Sequence, residues 1–256
     1  MLKHTQKRSL FSIAFGIAAM LILPVSVVDA SPLGTVNIVR SGHGANETID
    51  VQGGGLSGEQ VTAGVYMLDK SGCSDMGCTW SNGPIAGFCI ELEEPAPNFT
   101  ETYQVYNTAD SFNGTLNESI GDFKAEALSE LWGRYYDSSW EGSGSFSADE
   151  NNAAGAFAAA VWEIVYEDLP VQSTGWDVSA DGTTGSPGFS STLADSSLAN
   201  SWLHSLDGTG PMASLAAFTN DGNQNYVVAV PEPTTVILLG LGGALSLARK
   251  RKRVTA

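Results

Sequence analysis

The chain offers few side chains that could act as a nucleophile or a general base. Its cysteines are Cys73, Cys78 and Cys89, and its histidines beyond the N-terminal segment are His43 and His204. A Cys–His pair could attack a carbonyl carbon, but no local motif joins Cys89 to either histidine. The sequence therefore favours Cys89 as a small, buried hydrophobic residue.

Acidic side chains are the other candidates for chemistry. Glu91 and Glu163 could face each other across a strand and a helix, as the paired carboxylates of glycosidases do. Two solvated glutamates are the commoner arrangement, and the sequence favours it. The turn from Asp177 to Asp181 has oxygen ligands for calcium but lacks the downstream glutamate of an EF-hand loop, so a polar turn is the default interpretation. No metal site and no cofactor is predicted.

The segment Ser147–Asp168 is the element around which the rest of the chain is expected to pack. Ser147 and Glu150 have the spacing of a capping box. The segment is rich in alanine, the strongest helix former, and its apolar residues recur at helical spacing. Only Glu163 and Glu167 form a polar stripe. The pattern predicts a buried helix whose small residues let another element come close.

Alternating segments before that helix predict β-strands. They are Gly34–Arg40, Thr48–Gln52, Gln60–Leu68, Ile85–Leu92 and Thr100–Tyr106, with a loop at Asp69–Pro84 and a closing strand at Gln224–Val230. Further helices are predicted at Gly121–Tyr136 and Ser191–Leu206, with a long loop at Pro170–Ser190. Strands followed by helices predict an α+β fold: an antiparallel sheet, as a sandwich or barrel, with a packed helical part.

The charge of the chain excludes one class of partner. The net charge is −16, and residues 31–233 hold four basic residues against 27 acidic ones. Nucleic-acid binding depends on Lys and Arg that neutralise phosphates, so no nucleic-acid partner is expected. An acidic surface suits a soluble extracytoplasmic protein, or serves solubility alone.

The first 30 residues have the three parts of a secretory signal peptide. Lys3, Lys7 and Arg8 form the charged region, Leu10–Leu23 is the apolar region, and Val28-Asp29-Ala30 has the form of a cleavage site. Handling by the Sec translocon and signal peptidase is therefore predicted. An uncleaved anchor helix is the alternative.

Residues 230–253 also fall into three parts. Val230, Pro231, Glu232 and Pro233 come first, Thr234–Ala248 carries no charge, and a basic tail follows with Arg249, Lys250, Arg251, Lys252 and Arg253. The uncharged part would form a helix of about 22 Å, shorter than the roughly 30 Å hydrocarbon core, which suits a temporary anchor in the inner membrane. The basic residues at both ends should stay cytoplasmic, which leaves the middle outside the inner membrane.

This order of motif, apolar span and basic cluster resembles the PEP-CTERM sorting signal of Gram-negative bacteria. The resemblance implies recognition by an exosortase, removal of the tail, and export linked to exopolysaccharide or biofilm matrix. A plain tail anchor is the alternative, although such an anchor has no need of Pro-Glu-Pro.

A second resemblance covers roughly residues 60–230. Spaced motifs in this region are similar to those of thioester-domain-like proteins carried on PEP-CTERM tails: Gly87–Leu92, Leu131-Trp132, Ala156–Ile164 and Gln224–Val230. In the thioester domains of bacterial surface adhesins, a cysteine of the strand motif links to a glutamine of the helix motif. The resulting acyl-thioester captures a nucleophile on a partner surface. Cys89 matches the cysteine, and Ala158 stands at the glutamine position.

Because Ala158 has no carboxamide, the resemblance implies a module that keeps the fold and has lost the thioester. Gln172 lies beyond the helix-ending Pro170, and Gln224 is expected far along the last strand. Neither glutamine is therefore predicted to replace the missing one.

Export to an oxidising compartment predicts a disulfide between Cys73 and Cys78, whose connecting loop is short and flexible enough to close. The expected organisation is a signal peptide at 1–30, an extracytoplasmic domain at 31–229 and a sorting signal at 230–253. The leading hypothesis is a non-enzymatic protein of the cell surface or matrix that binds reversibly, with exopolysaccharide as a candidate ligand. A covalent thioester adhesin and a secreted polysaccharide hydrolase are the alternatives.

Overall fold

The computed structural model describes residues 30–113, 118–169, 172–180 and 188–232. The described strands are β1 (Gly34–Gly53), β2 (Leu56–Asp75), β3 (Gly83–Cys89), β4 (Glu101–Asn107), β5 (Phe112–Asn113), β6 (Glu118–Ser119), β7 (Phe189–Thr192), β8 (Leu215–Asn220) and β9 (Asn223–Ala229). The described helices are α1 (Gly121–Tyr135), α2 (Ala148–Tyr166) and α3 (Ser196–His204). The α+β class predicted from the sequence is confirmed.

The two predicted targeting segments, Leu10–Leu23 and Thr234–Ala248, lie outside the described residues. Among the helices that the structure does describe, none is long and apolar enough to cross a membrane.

One antiparallel sheet of seven strands forms the framework, in the order β2-β3-β9-β8-β4-β1-β7. The strand β1 also pairs with β2, so six of the strands close into a ring and β7 extends the far end of β1. The sandwich alternative of the sequence prediction is therefore wrong for the described chain, because the strands do not divide into two facing sheets. The strands β5 and β6 form a separate small hairpin.

The hairpin of β1 and β2 is longer than the sequence predicted, with 20 residues in each strand. The alternation breaks between Arg40 and Thr48, which predicted two short strands, but the structure continues one strand through register shifts at Arg40/Gly42 and His43/Asn46. Bulges of this kind bend a strand without ending it. The start of β1, Gly34–Ile38, pairs with β4, and its end, Asp50–Gly53, pairs with β7.

The helix α2 packs against both strands of this hairpin and against α3. Its capping box is confirmed: the Ser147 side chain accepts from the Glu150 backbone N–H, and the Glu150 carboxylate accepts from that of Ser147. Every residue from Ala154 to Tyr166 is buried. A side chain at Gly155 would lie 2.9 Å from the Glu47 side chain. The predicted role of its small residues, close approach of a neighbouring element, is confirmed.

Aromatic rings join α2 to α1, α3 and the sheet. Phe157 is the centre of this cluster and contacts rings on several elements, namely Phe88, Trp132, Tyr136, Trp140 and Trp202. Aromatic pairs of this kind contribute roughly 0.5–1.5 kcal/mol each beyond their burial. The cluster fixes α2 relative to β3, the strand that carries Cys89.

Candidate functional site

Cys89 and Gln224 lie side by side, on adjacent strands of the sheet. Cys89 ends β3, Gln224 lies near the start of β9, and Cys89 is paired in register with Tyr226. The backbone N–H of Ile90 donates to the Asn225 carbonyl oxygen at 2.9 Å, which extends the ladder past Cys89. Antiparallel pairing thus brings together two residues that are far apart in the chain.

The side chains of Cys89 and Gln224 share one acceptor. The Cys89 thiol donates to the Glu91 backbone carbonyl oxygen at 3.1 Å, and Gln224 Nε2 donates to the same oxygen at 3.5 Å. The Gln224 carboxamide lowers the pKa of the Cys89 thiol and that of the Tyr66 hydroxyl by hydrogen bonding, against the larger effect of burial. A thiol and a carboxamide are the two groups that an internal thioester requires, and here they share one acceptor.

Burial controls the protonation of the thiol. Cys89 is 2% exposed, and burial raises its pKa to about 12, with a further increase from the Glu91 carboxylate. Hydrogen bonds from the surroundings, including those of Trp162 and Gln224, act in the opposite direction. The thiol is therefore protonated at neutral pH, and it needs a base before it can attack.

Gln224 carries an unusual buried oxygen. Its side chain is 6% exposed, and its Oε1 atom is buried with no hydrogen-bond partner among the described residues. An unsatisfied buried acceptor costs about 1–3 kcal/mol, so such atoms in a folded protein call for a structural or chemical explanation. The orphan oxygen belongs to the same carboxamide that faces Cys89.

Glu91 and Asn225 complete the immediate surroundings. Glu91 and Asn225 are each 5% exposed, and Asn225 Nδ2 donates to Glu91 Oε2. The other end of the Asn225 amide accepts from the Asn220 backbone N–H at 2.8 Å. This second bond fixes the amide orientation, so its NH₂ group points at the carboxylate.

The helix α2 holds the end of β3 in place. The Trp162 indole N–H donates to the Cys89 carbonyl oxygen at 2.9 Å. One turn further along the helix, the Tyr166 hydroxyl accepts from the Leu92 backbone N–H at 2.8 Å. Both side chains are buried, so the Cys89–Leu92 segment has a fixed position against the helix.

Gln224 lies closer to Cys89 than its place in the sequence predicts. Gln224 was expected to lie too far along the last strand to meet Cys89, and that expectation is wrong, because β9 pairs directly with β3. Ala158, the position to which the resemblance assigned the glutamine, is a buried residue of α2. Gln224 could have been found only by predicting that the strand with Cys89 pairs with the strand with Gln224. The alternation of apolar residues predicts each strand but does not show which strands are neighbours.

The other candidates for chemistry have separate surroundings. The described contacts of Cys89 include neither histidine: His43 packs edge-on against Tyr66 at 4.7 Å between ring centroids, and His204 Nε2 lies 2.8 Å from the Trp176 carbonyl oxygen. Burial, with a smaller effect of Arg40, lowers the pKa of His43.

The two glutamates suggested as a glycosidase pair are both buried, so the favoured expectation of solvated glutamates is wrong. Glu163 accepts from the Asp177 backbone N–H at 2.9 Å, whereas Glu91 is bound to Asn225. Asp177 itself accepts from Ser179 and Asn200. Asp181 lies outside the described residues, and no group of three potential metal ligands occurs among the residues described.

A disulfide joins Cys73, near the end of β2, to Cys78, and Cys89 is a free cysteine. Beyond β9, the Val230 backbone N–H donates to the Ser214 carbonyl oxygen at 2.8 Å, and Pro231 and Glu232 are exposed. The described part of the chain therefore leads from β9 directly into the predicted motif. Pro233 and the basic tail lie outside the described residues.

Residues 229–252 match the family model of the PEP-CTERM protein-sorting motif. The match includes Val230 to Pro233 and reaches into the basic tail as far as Lys252. Searches of curated proteins and of solved structures gave no match to the chain. The motif implies an exosortase-dependent exported surface protein that begins as a membrane-anchored precursor.

The PEP-CTERM motif and the Cys89–Gln224 pair are connected through one strand. β9 carries Gln224 near its start and leads into the motif at its end. The Trp80 indole N–H donates to the Ala229 carbonyl oxygen at 2.8 Å and fixes the last residue of this strand. The sorting motif is thus attached to the strand that carries half of the candidate site.

Proposed function

We propose that this exported protein is a covalent adhesion module whose internal thioester joins Cys89 to Gln224. The observation that carries the proposal is the shared acceptor: the thiol and the carboxamide both donate to the Glu91 carbonyl oxygen, at 3.1 and 3.5 Å. The orphan oxygen of Gln224 and the sorting motif support it. This geometry favours the covalent alternative over the reversible module that Ala158 suggested.

The chain itself supplies both groups that the proposed bond requires. Cys89 Sγ bonds to Gln224 Cδ, the Cδ–Nε2 bond breaks, and the thiol proton leaves with that nitrogen as ammonia. A later nucleophile, such as a primary amine, attacks Cδ and breaks the C–S bond, which gives an amide and restores the thiol. The captured partner stays attached to Gln224, so each molecule reacts once and the protein is not an enzyme.

The sorting signal supports this chemistry because it directs the protein to the cell surface. An exported surface protein meets its partners outside the cell, and in an oxidising compartment a thiol buried as a thioester is protected from disulfide exchange. The proposed partner is a nucleophile-bearing surface in the matrix around the cell. Exopolysaccharide hydroxyls and protein amines are the two nucleophile classes that such a matrix offers.

Reversible matrix binding by the same fold is the second candidate. It is favoured by the near-complete burial of Cys89, because a nucleophile has to reach the acyl carbon. The two candidates differ in one covalent bond, which mass measurement detects.

Methylamine tests the proposal on the purified full-length protein. The wild type should have an intact mass lower by one ammonia and should gain one methylamine on incubation. Both changes should disappear in the Cys89→Ala and Gln224→Ala variants. Gln172→Ala is the matched control, because Gln172 is exposed and should leave both changes intact. A wild-type mass equal to that of the unmodified chain, with no methylamine adduct, would favour reversible binding.

A further inference from the structure

We infer that the interior of the strand ring beside Cys89 binds a hydroxyl group of a saccharide, and that this hydroxyl is the nucleophile captured by the proposed thioester. The capture rests on the proposed function, whereas the binding site does not need the thioester bond. The residues that form this interior site are Arg40, Tyr66, Tyr103, Gln224 and Tyr226.

The side chain of Cys89 faces the interior of the ring. Phe88, its neighbour in β3, packs against an aromatic ring of α2, and successive side chains of a strand lie on opposite faces. Cys89 is paired with Tyr226, so these two side chains lie on the same face. Gln224 meets Cys89 there, because both side chains donate to one carbonyl oxygen. The candidate thioester site therefore lies at one end of the ring interior.

Three tyrosine rings line the interior next to this pair. The centroid of the Tyr226 ring lies 5.5 Å from that of Tyr66 and 5.9 Å from that of Tyr103. Arg40 of β1 is paired with Leu68 of β2, two residues beyond Tyr66, so its side chain lies on the same face as that tyrosine. The charge of Arg40 opposes the rise in pKa that burial causes at Tyr66 and Tyr226.

The interior site concentrates buried polar atoms that have no hydrogen-bond partner. Seven such side-chain atoms occur in the described part of the chain, and four of them belong to this site: Arg40 Nε, Tyr103 Oη, Gln224 Oε1 and Tyr226 Oη. Tyr103 and Tyr226 are each 1% exposed. Tyr226 lowers the pKa of Tyr103, so their hydroxyls are neighbours, but they form no hydrogen bond of normal geometry. Because buried polar groups are nearly always satisfied in folded proteins, this concentration indicates a bound occupant.

The four atoms require an occupant that both donates and accepts hydrogen bonds. Arg40 Nε–H only donates, Gln224 Oε1 only accepts, and the tyrosine hydroxyls do either. An ammonium group only donates and a carboxylate only accepts, so each would leave one of these atoms unsatisfied, whereas a hydroxyl satisfies both kinds. The opposite charges of Arg40 and Glu101 both act on the tyrosines, which favours a neutral group.

The way into the interior site selects a narrow group. Arg40 and His43 are half-buried, and the His43 ring packs edge-on against Tyr66, so the site reaches the protein surface on this side. The unsatisfied atoms themselves are buried, and the hydroxymethyl arm of a hexose is narrow enough to reach them. The sorting motif directs the protein to the cell surface, where saccharides present such arms. Water has the same hydrogen-bonding groups and is the competing occupant.

Capture of a hydroxyl at this site balances without a further reactant. The hydroxyl oxygen bonds to Cδ of Gln224, the bond from Cδ to the Cys89 sulfur breaks, and the hydroxyl proton ends on that sulfur. The products are an ester at residue 224 and a free thiol, and the saccharide stays attached to the protein.

The first measurement is saccharide binding by the purified full-length Cys89→Ala variant, which cannot form a thioester. Methyl glucopyranoside should bind, and methyl xylopyranoside, which lacks the hydroxymethyl arm, should bind about tenfold more weakly. Addition of Tyr103→Phe or Tyr226→Phe should weaken glucoside binding by about 2–10-fold. Both variants should fold, because each removes a hydroxyl that has no partner among the described residues. Tyr106→Phe is the matched control, since Tyr106 lies on β4 but on the opposite face from Tyr103.

The second measurement is capture of the same glucoside by the full-length wild type. One saccharide should add to the protein as an ester that hydroxylamine releases. Tyr103→Phe and Tyr226→Phe should slow this addition more than they slow methylamine addition, because the ammonium form of methylamine does not match the site. Tyr106→Phe should change neither rate.

The outcomes separate the inference from the function on which it rests. A wild type without the ammonia-loss mass refutes the proposed thioester, and glucoside binding by Cys89→Ala that both phenylalanine variants weaken would still support the interior site. Absence of glucoside binding by Cys89→Ala, or equal binding of the glucoside and the xyloside, shows that no saccharide arm enters and overturns the site. Equal slowing of saccharide and methylamine addition overturns the hydroxyl as the captured class.

Discussion

Glu163 shows how strongly burial shifts the pKa of a side chain in this protein. One of its carboxylate oxygens accepts from the Asp177 backbone N–H, and the other is buried with no hydrogen-bond partner among the described residues. Burial, opposed by that hydrogen bond and reinforced by Glu167 and Asp177, raises its pKa to about 8. The folded protein therefore holds a proton on Glu163 at a pH where the unfolded chain has lost it.

Glu163→Gln should change the pH dependence of stability. With a folded pKa of about 8 against an ordinary value of 4.5, the contribution of Glu163 is fully present below about pH 4.5 and is lost as the pH rises to 8. The wild type should lose stability relative to the glutamine variant across this window, by up to about 5 kcal/mol, since each unit of pKa shift corresponds to about 1.4 kcal/mol. Denaturant unfolding at several pH values measures it.

Glu126→Gln is the control for this prediction, because Glu126 is an exposed residue of α1. Its unfolding curves should stay parallel to those of the wild type from pH 4.5 to 8. A constant difference between wild type and Glu163→Gln over the same range would contradict the assignment of a buried, protonated carboxyl group.

Sequence reasoning at the residue scale identified Cys89 but not its partner. The sequence predicts both the strand that carries Cys89 and the pairing of Cys73 with Cys78 that leaves Cys89 as the free cysteine. Gln224 was not, because its proximity to Cys89 depends on which strands are neighbours in the sheet. The burial of Glu163 was also missed, since a polar stripe on a helix predicts exposure unless another element covers it. The burial of Glu91 was missed because it depends on the neighbouring strand β9, whose Asn225 binds its carboxylate.

Among the elements, α2 has the clearest sequence signature. The capping box fixes its start, and its small residues bring it close to the β1–β2 hairpin. Helices were predictable because their stabilising contacts are local. The strands β7 and β8 were not predicted, because each forms by pairing with a distant segment: β7 with the end of β1, and β8 with β4 and β9.

Ser147→Ala should destabilise the protein by about 1 kcal/mol, because it removes the hydroxyl that accepts from the Glu150 backbone N–H at 3.2 Å. Urea unfolding measures the loss. Ser139→Ala is the control: Ser139 is exposed, and only its backbone N–H makes the bond to Asp137. Equal stabilities of the two variants would show that the capping box contributes nothing measurable.

Ala158→Gln tests whether the helix position takes part in the bond. Ala158 is 2% exposed, so a longer side chain should overpack the core and cost about 1–3 kcal/mol. The ammonia-loss mass should persist, because the proposed bond joins Cys89 to Gln224. The same exchange at the half-buried Ala153 of α2 should cost less. Transfer of the cross-link from Gln224 to residue 158 would contradict the account.

At the scale of the whole molecule, an acidic domain is joined to a sorting signal without an intervening linker. Residues 31–233 hold 27 acidic residues against four basic ones, and the last strand ends where the motif begins. The organisation into signal peptide, domain and sorting tail remains a prediction. The fold class, with a barrel as one of its two forms, was predictable from the order of strands and helices, whereas the order of the strands around the ring was not.

Processing at both ends should produce a mature protein that begins at Ser31 and lacks the basic tail Arg249–Arg253. Terminal sequencing of material from the cell surface and the medium checks this expectation. A Pro231→Ala, Pro233→Ala double variant should stay in the inner membrane with its tail attached. Recovery of the intact basic tail from wild-type surface material would contradict the sorting pathway.

The most direct measurement of the central claim is peptide mapping of the exported protein, digested at mildly acidic pH without reducing agent. The proposed thioester predicts one cross-linked species, in which the Cys89 peptide and the Gln224 peptide are joined with the loss of ammonia. This species should separate into two peptides after treatment with methylamine. Recovery of both peptides separate and unmodified, or of Cys89 in a disulfide with Cys73 or Cys78, would contradict it.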